Sequence, residues 1–245
     1  MLDPIPFQPI PPQDFKLTPQ RIDIWQYPLS MLWDEANTLL NEEEYKRASR
    51  YHFDRHRRRF TVARALLRLI LGRYLQVDPK SIKFTTNDYG KPSVAEQTDL
   101  QFNLSHSQEL ALLAIGQTQP MGIDLEHFSA RPLAGMANTM FSPQEITAFS
   151  QVPTRIRPLS FFHVWAQKEA FIKACGMGLS YPTQSFTVPV LPPTHALIND
   201  PKHACTWQIH SFMPEAACCA ALCAHPDIQS IRYRTLAKDP HVSLE

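Results

Sequence analysis

The sequence predicts an α+β fold of two pseudo-symmetric halves, each a small, mainly antiparallel sheet packed on a long helix. Three observations carry that expectation. Alternating apolar and polar segments are interleaved with two long stretches of helical period, in the order strand, long helix, strands, then strand, long helix, strands. Hydrophobic residues make up 44% of the 245, enough for a substantial core. The two runs meet at a turn over residues 117–121. No strong sequence repeat links the halves, so the symmetry is one of layout. The expected division is a proline-rich arm over 1–17, an N-terminal half over 18–118 and a C-terminal half over 119–245.

Repeated prolines in the arm deny helix and central strand alike. Residues 21–27 read as a strand, with Ile22 and Ile24 on one face and Asp23, Trp25 and Tyr27 on the other. That imperfect alternation predicts cover on both faces. Residues 41–49, NEEEYKRAS, open a helical region with acids first and bases later, the order a helix dipole favours. The long helix over 55–74 carries Val62, Leu66, Leu69 and Ile70 on its apolar side. A short strand over 82–85 leads to the turn NDYGKP at 87–92. Strands over 100–104 and 110–115 flank a polar corner, SHSQE, and a turn over 117–120 leads into the strand GIDLE at 122–126. Short helices are expected over 133–140 and 143–149, the second capped by Ser142 with Glu145 at the capping-box position. A long helix over 161–174 and strands over 186–190, 205–212 and 216–223 complete the reading.

A net charge of +1 provides no bulk field toward nucleic acid or membrane. Five cysteines without a spaced framework argue against a disulfide scaffold, and Cys219 and Cys223 have no second ligand pair nearby to make a zinc site. No apolar run approaches membrane-span length, and the N-terminal stretch lacks the basic and apolar regions of a signal peptide. A cytoplasmic protein is expected.

The densest chemistry lies in WAQKEAFIKACGMGL, residues 165–179. Trp165, Glu169 and Lys173 recur every four residues along one helix face, with Lys168 beside Glu169. In GIDLE, Asp124 and Glu126 share a strand face opposite Ile123 and Leu125. Two strand carboxylates and one helix carboxylate can gather a hard divalent cation, and neighbouring lysines suit a phosphate-bearing substrate. Taken singly, each acid reads as the wet face of a strand or an exposed helical pair; the joint pattern favours a site. FNLSHS, residues 102–107, can present hydroxyls and an imidazole to phosphate oxygens. The absence of a GxSxG elbow excludes a hydrolase of that type. The cluster from Lys46 to Arg68, including RHRRR, could hold nucleic-acid phosphates, although a helix spreads such residues around its cylinder. Arg59 borders the apolar run, where it can turn toward a pocket. YGKP reads first as a hairpin turn.

YGKP, FNLSHS, GIDLE and WAQKEAFIKACGMGLS occur here in the order and spacing of the 4′-phosphopantetheinyl transferases. The chain resembles the long, two-half type that includes the surfactin-synthetase activator, from about residue 41 to 190. The resemblance implies Mg²⁺-dependent transfer of 4′-phosphopantetheine from coenzyme A to a serine of an apo acyl, peptidyl or aryl carrier protein, releasing adenosine 3′,5′-bisphosphate. It implies coenzyme A binding by the 18–118 half and catalysis by the 119–245 half. Mg²⁺ falls to Asp124, Glu126 and Glu169, and Glu169 is also the candidate base for the incoming serine. Lys173 falls to the transferring phosphate and His106 to a pyrophosphate oxygen, and Lys168, beside Glu169, is a further candidate for binding coenzyme A. Ser105, Arg47 and Arg59 fall to the 3′-phosphate, and Lys91 and Pro92 to the adenine end. The sequence departs from the family at the basic pair before the first long helix, where Glu42, Glu43 and Glu44 precede Lys46 and Arg47.

An apolar patch between residues 128 and 141 is expected to receive the carrier. One chain can build a whole site, so a monomer without nucleic-acid or membrane partners is expected. Two alternatives remain at this level: a nucleic-acid-binding module using the basic helix over 55–68, and a degenerate homologue that binds coenzyme A without transfer.

Overall fold

In the computed structural model, which describes residues 3–9, 14–96, 98–130, 133–191 and 195–236, two sheets share an apolar interior and each carries a long helix on its outer face. The strands are β1 (Gln8–Pro9), β2 (Arg21–Pro28), β3 (Phe84–Thr86), β4 (Pro92–Val94), β5 (Leu100–Ser107), β6 (Leu110–Gln117), β7 (Gly122–His127), β8 (His195–Asp200), β9 (Cys205–Phe212), β10 (Cys218–Ala224) and β11 (Ser230–Thr235). The helices are α1 (Glu42–Ser49), α2 (Asp54–Leu75), α3 (Leu133–Met140), α4 (Pro143–Ser150) and α5 (Arg157–Cys175). One sheet has the order β1–β11–β2–β6–β5 and the other β7–β10–β9–β8, while β3 and β4 form a separate hairpin.

Alternation along the strands builds the layers. Trp25 and Tyr27 of β2, with Leu113 and Ile115 of β6, pack beneath Val62, Leu66 and Ile70 of α2. Ile22 and Ile24 point the other way, into a middle cluster with Ile123 and Leu125 of β7 and Ala220 and Leu222 of β10. Cys219, Ala221 and Cys223 turn outward again to α5. The order is therefore helix, sheet, sheet, helix. Both faces of β2 are covered, as its imperfect alternation predicts.

The boundaries differ from the sequence reading in instructive places. The predicted polar corner at SHSQE is shorter: β5 runs through Ser107, and Gln108 and Glu109 alone make the turn, with Gln108 at φ 52°. The strand expected over 186–190 is absent. That segment is extended, but side chains of α4 and α5 meet its backbone in place of a ladder. Ser160 donates to Val190 O at 2.8 Å, Gln167 to Pro189 O at 2.9 Å and Lys168 to Phe186 O at 2.9 Å, while Val188 N donates to Glu145.

The strands β8 and β11 escape the sequence reading. In β11, Ile231 and Tyr233 pack against the middle cluster while Arg232 and Arg234 reach Asp14. It runs parallel to β2, so the end of the chain joins the sheet of the beginning. The N-terminal arm adds an edge: β1 pairs parallel with β11, and Ile5 and Phe7 pack against the middle cluster. Prolines are tolerated there because an edge strand has donors it need not use.

A buried ion pair ties α1 to α2. Asn41 caps α1 in a capping box with Glu44. The same Glu44 carboxylate accepts from Arg68 Nε at 2.7 Å and Arg64 Nε at 2.6 Å. Burial alone would raise the Glu44 pKa; the Arg68 hydrogen bond, the Asn41 N–H and the two guanidinium charges bring it below its ordinary value.

Candidate active site at the seam between the sheets

β5 and β7 are edge strands of different sheets, and side chains join them. The residues of β5 on one face, Asn103, Ser105 and Ser107, all reach β7. Asn103 Oδ1 accepts from Ile123 N at 2.8 Å, Ser105 Oγ donates to Asp124 Oδ1 at 2.8 Å, and Ser107 Oγ accepts from His127 N at 3.3 Å. Period-two spacing in NLSHS thus becomes a row of polar clasps. Leu104 and His106 belong to the opposite face.

Gly122 sets the approach of β7 to α5. A Cβ there would overlap the Ala170 carbonyl oxygen and the Ala174 nitrogen, both helix backbone. With no side chain at that point, Asp124 and Glu126 on the same strand face come under the helix face that carries Glu169 and Lys173. Lys173 Nζ lies 2.6 Å from Asp124 Oδ1 and 2.9 Å from Ser105 Oγ. Ser105, Asp124 and Lys173 therefore form one cluster drawn from three elements of the two sheets and α5.

Asp124 is buried, and its second oxygen, Oδ2, has no hydrogen-bond partner among the described residues. An orphaned buried carboxylate oxygen is costly unless a cation or a donor completes it. Glu169 is half-buried, and burial first, then the Asp124 charge, raises its pKa against the opposing effect of Lys173. Glu126 is half-buried on the same strand face. These oxygens are a hard donor set that suits Mg²⁺ rather than a softer metal. The three carboxylates have not converged within 4.8 Å of one another; among the described residues the one three-member cluster of that tightness is Cys175, Asp200 and His203.

His106 stands exposed near this group. Partial desolvation lowers its pKa, and the charges of Lys173 and Arg59 lower it further against Asp124, which favours neutral imidazole. Arg59 grips Glu109 Oε1 through Nε at 2.9 Å and Nη2 at 2.6 Å, beside the β5–β6 turn. Arg47 is exposed and lies over the Phe60 ring, 5.2 Å from its centroid. Pro92 pairs with Thr86 at the base of the β3–β4 hairpin.

Two of the lysines expected to contact coenzyme A are engaged within the protein. Lys168 is buried on another face of α5, 2.9 Å from Glu145 Oε2 and 2.7 Å from Thr183 O. The ammonium of Lys91 donates to Met121 O at 2.9 Å and Ala174 O at 3.2 Å, and burial pulls its pKa down to about 8. The NDYGKP turn closes a hairpin, as its composition suggests, and it also docks on the end of α5. Asn87 Nδ2 donates to Gly176 O at 2.7 Å, and Gly176 ends the helix at φ 72°. The structural use of Asn87 and Glu109 was not read from the sequence; a polar side chain at each end of a turn was the available signal.

The basic helix is largely committed within the protein. Besides Arg59, Arg64 and Arg68, Arg57 pairs with Asp54, and Arg58 lies 3.6 Å from Glu109. A cavity of about 730 Å³ between Phe15 and Tyr74 includes none of the seam residues. No helix among the described residues is long and apolar enough to cross a membrane.

Comparison with known proteins matches both halves. A family described as the 4′-phosphopantetheinyl transferase superfamily matches residues 120–223, and one described as 4′-phosphopantetheinyl transferase, N-terminal, matches residues 24–118. The 4′-phosphopantetheinyl transferase HetI of Nostoc sp. is 37% identical over 221 residues, covering 86% of this chain and 90% of that protein. The 4′-phosphopantetheinyl transferase Sfp of Bacillus subtilis is 30% identical over 192 residues, covering 78% and 84%.

Proposed function

The chain belongs to the 4′-phosphopantetheinyl transferase superfamily, and we propose that it moves 4′-phosphopantetheine from coenzyme A to a serine of an apo carrier protein. The carrier is of the acyl, peptidyl or aryl class, and adenosine 3′,5′-bisphosphate leaves. The observation that carries this reading is the seam cluster: Lys173 bonded to both Ser105 and Asp124, the orphaned Asp124 Oδ2, and Glu169 beside them.

The serine oxygen forms a bond to the phosphorus that bears pantetheine, and the bond from that phosphorus to the bridging oxygen breaks. Phosphoryl transfer depends mainly on placement and on stabilising charge. Lys173 contacts the transferring phosphate from the end of α5. Glu169, whose raised pKa makes it a better base than an ordinary carboxylate, takes the serine proton directly or through water. His106 donates one N–H to a pyrophosphate oxygen. Arg59, Arg47 and Ser105 serve the 3′-phosphate, and Pro92 with the stem of Lys91 borders the adenine. Lys168 supports α5 from its buried pair with Glu145. Asp124, Glu169 and Glu126 would hold Mg²⁺, which supplies charge neutralisation on the pyrophosphate.

We assign coenzyme A binding to residues 18–118 and the metal and catalytic groups to 119–245, in a cytoplasmic monomer. The test is intact-mass analysis of an apo acyl carrier protein incubated with this protein, coenzyme A and Mg²⁺. A phosphopantetheine mass gain that EDTA removes supports the reading. Coenzyme A binding without a gain on any carrier class means a degenerate homologue, and neither binding nor gain overturns the proposal.

A further inference from the structure

Just beyond Lys173 lies a second cluster that the transfer does not use. Cys175 ends α5, Asp200 ends β8, His203 sits in the following turn and Cys205 opens β9. Around Asp200 Oδ2 stand His203 Nδ1 at 2.8 Å, Cys175 Sγ at 3.4 Å and Cys205 Sγ at 4.0 Å. The ligand atoms of Cys175, Asp200 and His203 all lie within 4.8 Å of one another. In a tetrahedral zinc site with bonds of about 2.0–2.3 Å, neighbouring ligand atoms are about 3.3–3.8 Å apart. We propose that Cys175, Asp200, His203 and Cys205 bind a zinc ion that staples the end of α5 to the β8–β9 hairpin.

The chemistry of the two carboxylate oxygens separates this from a simple hydrogen-bond hub. Asp200 Oδ1 takes the strong donors: Tyr181 OH at 2.6 Å, Lys202 N at 2.9 Å and His203 N at 3.1 Å. These fix the carboxylate as outer partners of a metal ligand do. Oδ2 instead faces the His203 imidazole and two thiols; the thiols are weak donors, and all three groups are strong ligands for a borderline-soft metal. Trp207 Nε1, 3.4 Å from Oδ2, closes the inner side. Cys205 is exposed and the His203 side chain is 45% exposed, so an ion has a path in.

On binding, each thiol releases its proton to solvent, and His203 binds through Nδ1 with its proton on Nε2. No electron moves. Two thiolates and a carboxylate outweigh the dication by one charge, and the Lys91 ammonium, which acts electrostatically on Cys175, offsets it. The remaining cysteines, Cys218, Cys219 and Cys223, are buried in the core and remain outside the site.

The test uses the full-length protein, stripped with a chelator and titrated with Co²⁺ alone. The expected result is a single equivalent bound with a thiolate-to-cobalt charge-transfer band that Zn²⁺ bleaches. His203→Ala and Cys205→Ser, both at exposed positions, should keep the native circular dichroism and weaken binding at least about tenfold. Lys173→Ala should keep the band. No thiolate band in the wild-type protein, or an unchanged affinity in either cluster variant, overturns the proposal.

Discussion

Lys173 is shared between two acceptors, and the sharing makes a specific prediction. It donates to both Ser105 and Asp124, so its removal leaves two buried oxygens facing each other without a cation. Lys173→Ala should lower kcat by about 10²–10³-fold, the usual effect of removing one charge-stabilising donor, with a smaller change in coenzyme A affinity. Asp124→Ala should abolish both transfer and Mg²⁺-dependent coenzyme A binding. Calorimetry alongside the mass assay separates the two effects; full activity of Asp124→Ala would refute the metal assignment. A second residue-scale prediction concerns Arg68, which is wholly buried and depends on Glu44. Glu44→Ala should cost about 3–5 kcal/mol in urea unfolding, because the lone guanidinium stays behind. A loss under half that range would mean that Pro79 O and Ile82 O, its two carbonyl partners, suffice.

At the scale of elements, the contact between β7 and α5 is a backbone contact. Gly122→Ala would press a methyl group into the helix main chain, which cannot rotate away. The expected cost is about 1–3 kcal/mol or more, with transfer falling further than stability because Asp124 shifts relative to Lys173. Unchanged activity in a correctly folded variant would contradict the role given to that spacing. The helix α3 supplies the other element-scale prediction. Leu133, Met136 and Met140 are half-buried against the C-terminal core, and Phe128 stacks on Phe162. Residues 131 and 132 of the stretch expected to receive the carrier lie outside the described residues. Alanine at Met136 or Met140 should raise carrier KM while leaving coenzyme A affinity alone; no change in KM would sink that assignment.

For the whole molecule, burial of histidines shapes the acid limit of stability. Burial drops the His163 pKa to about 4, and its Nε2 has no hydrogen-bond partner among the described residues. The unfolded chain, with a histidine pKa of about 6.5, binds protons that the folded chain refuses. The contribution of neutral His163 is therefore complete above about 6.5 and is lost as pH falls toward 4. His210, lowered to about 4 by burial and by His195, adds in the same direction. Thermal midpoints measured across that range should fall with acid, and His163→Phe should flatten part of the fall. An identical pH profile in the variant would show that His163 does not titrate on unfolding.

Much of this was determined by local sequence. The layers follow from alternation in residues 21–27 and 122–126 and from the apolar side of 55–74, because side-chain direction is dictated by backbone period. The same rule placed Asp124 and Glu126 on one strand face and Glu169 and Lys173 on one helix face. Tertiary structure decided what those faces meet. That NLSHS continues as a strand and clasps β7, that Lys168 turns to Glu145, and that Lys91 ties the hairpin to α5 all depend on partners from 19 to 83 residues away. Segment 186–190 has the composition of a strand, but side chains of α5 meet its backbone in place of a ladder. The strand β11 is held by distant partners as well: it pairs with β2, Ile231 and Tyr233 pack on the middle cluster, and Asp14 and Asp23 receive its arginines. Periodicity is a property of a few consecutive residues and can be read from them. Pairing is a choice among distant surfaces, and it is settled when burial leaves each polar group only the partners that the finished fold provides.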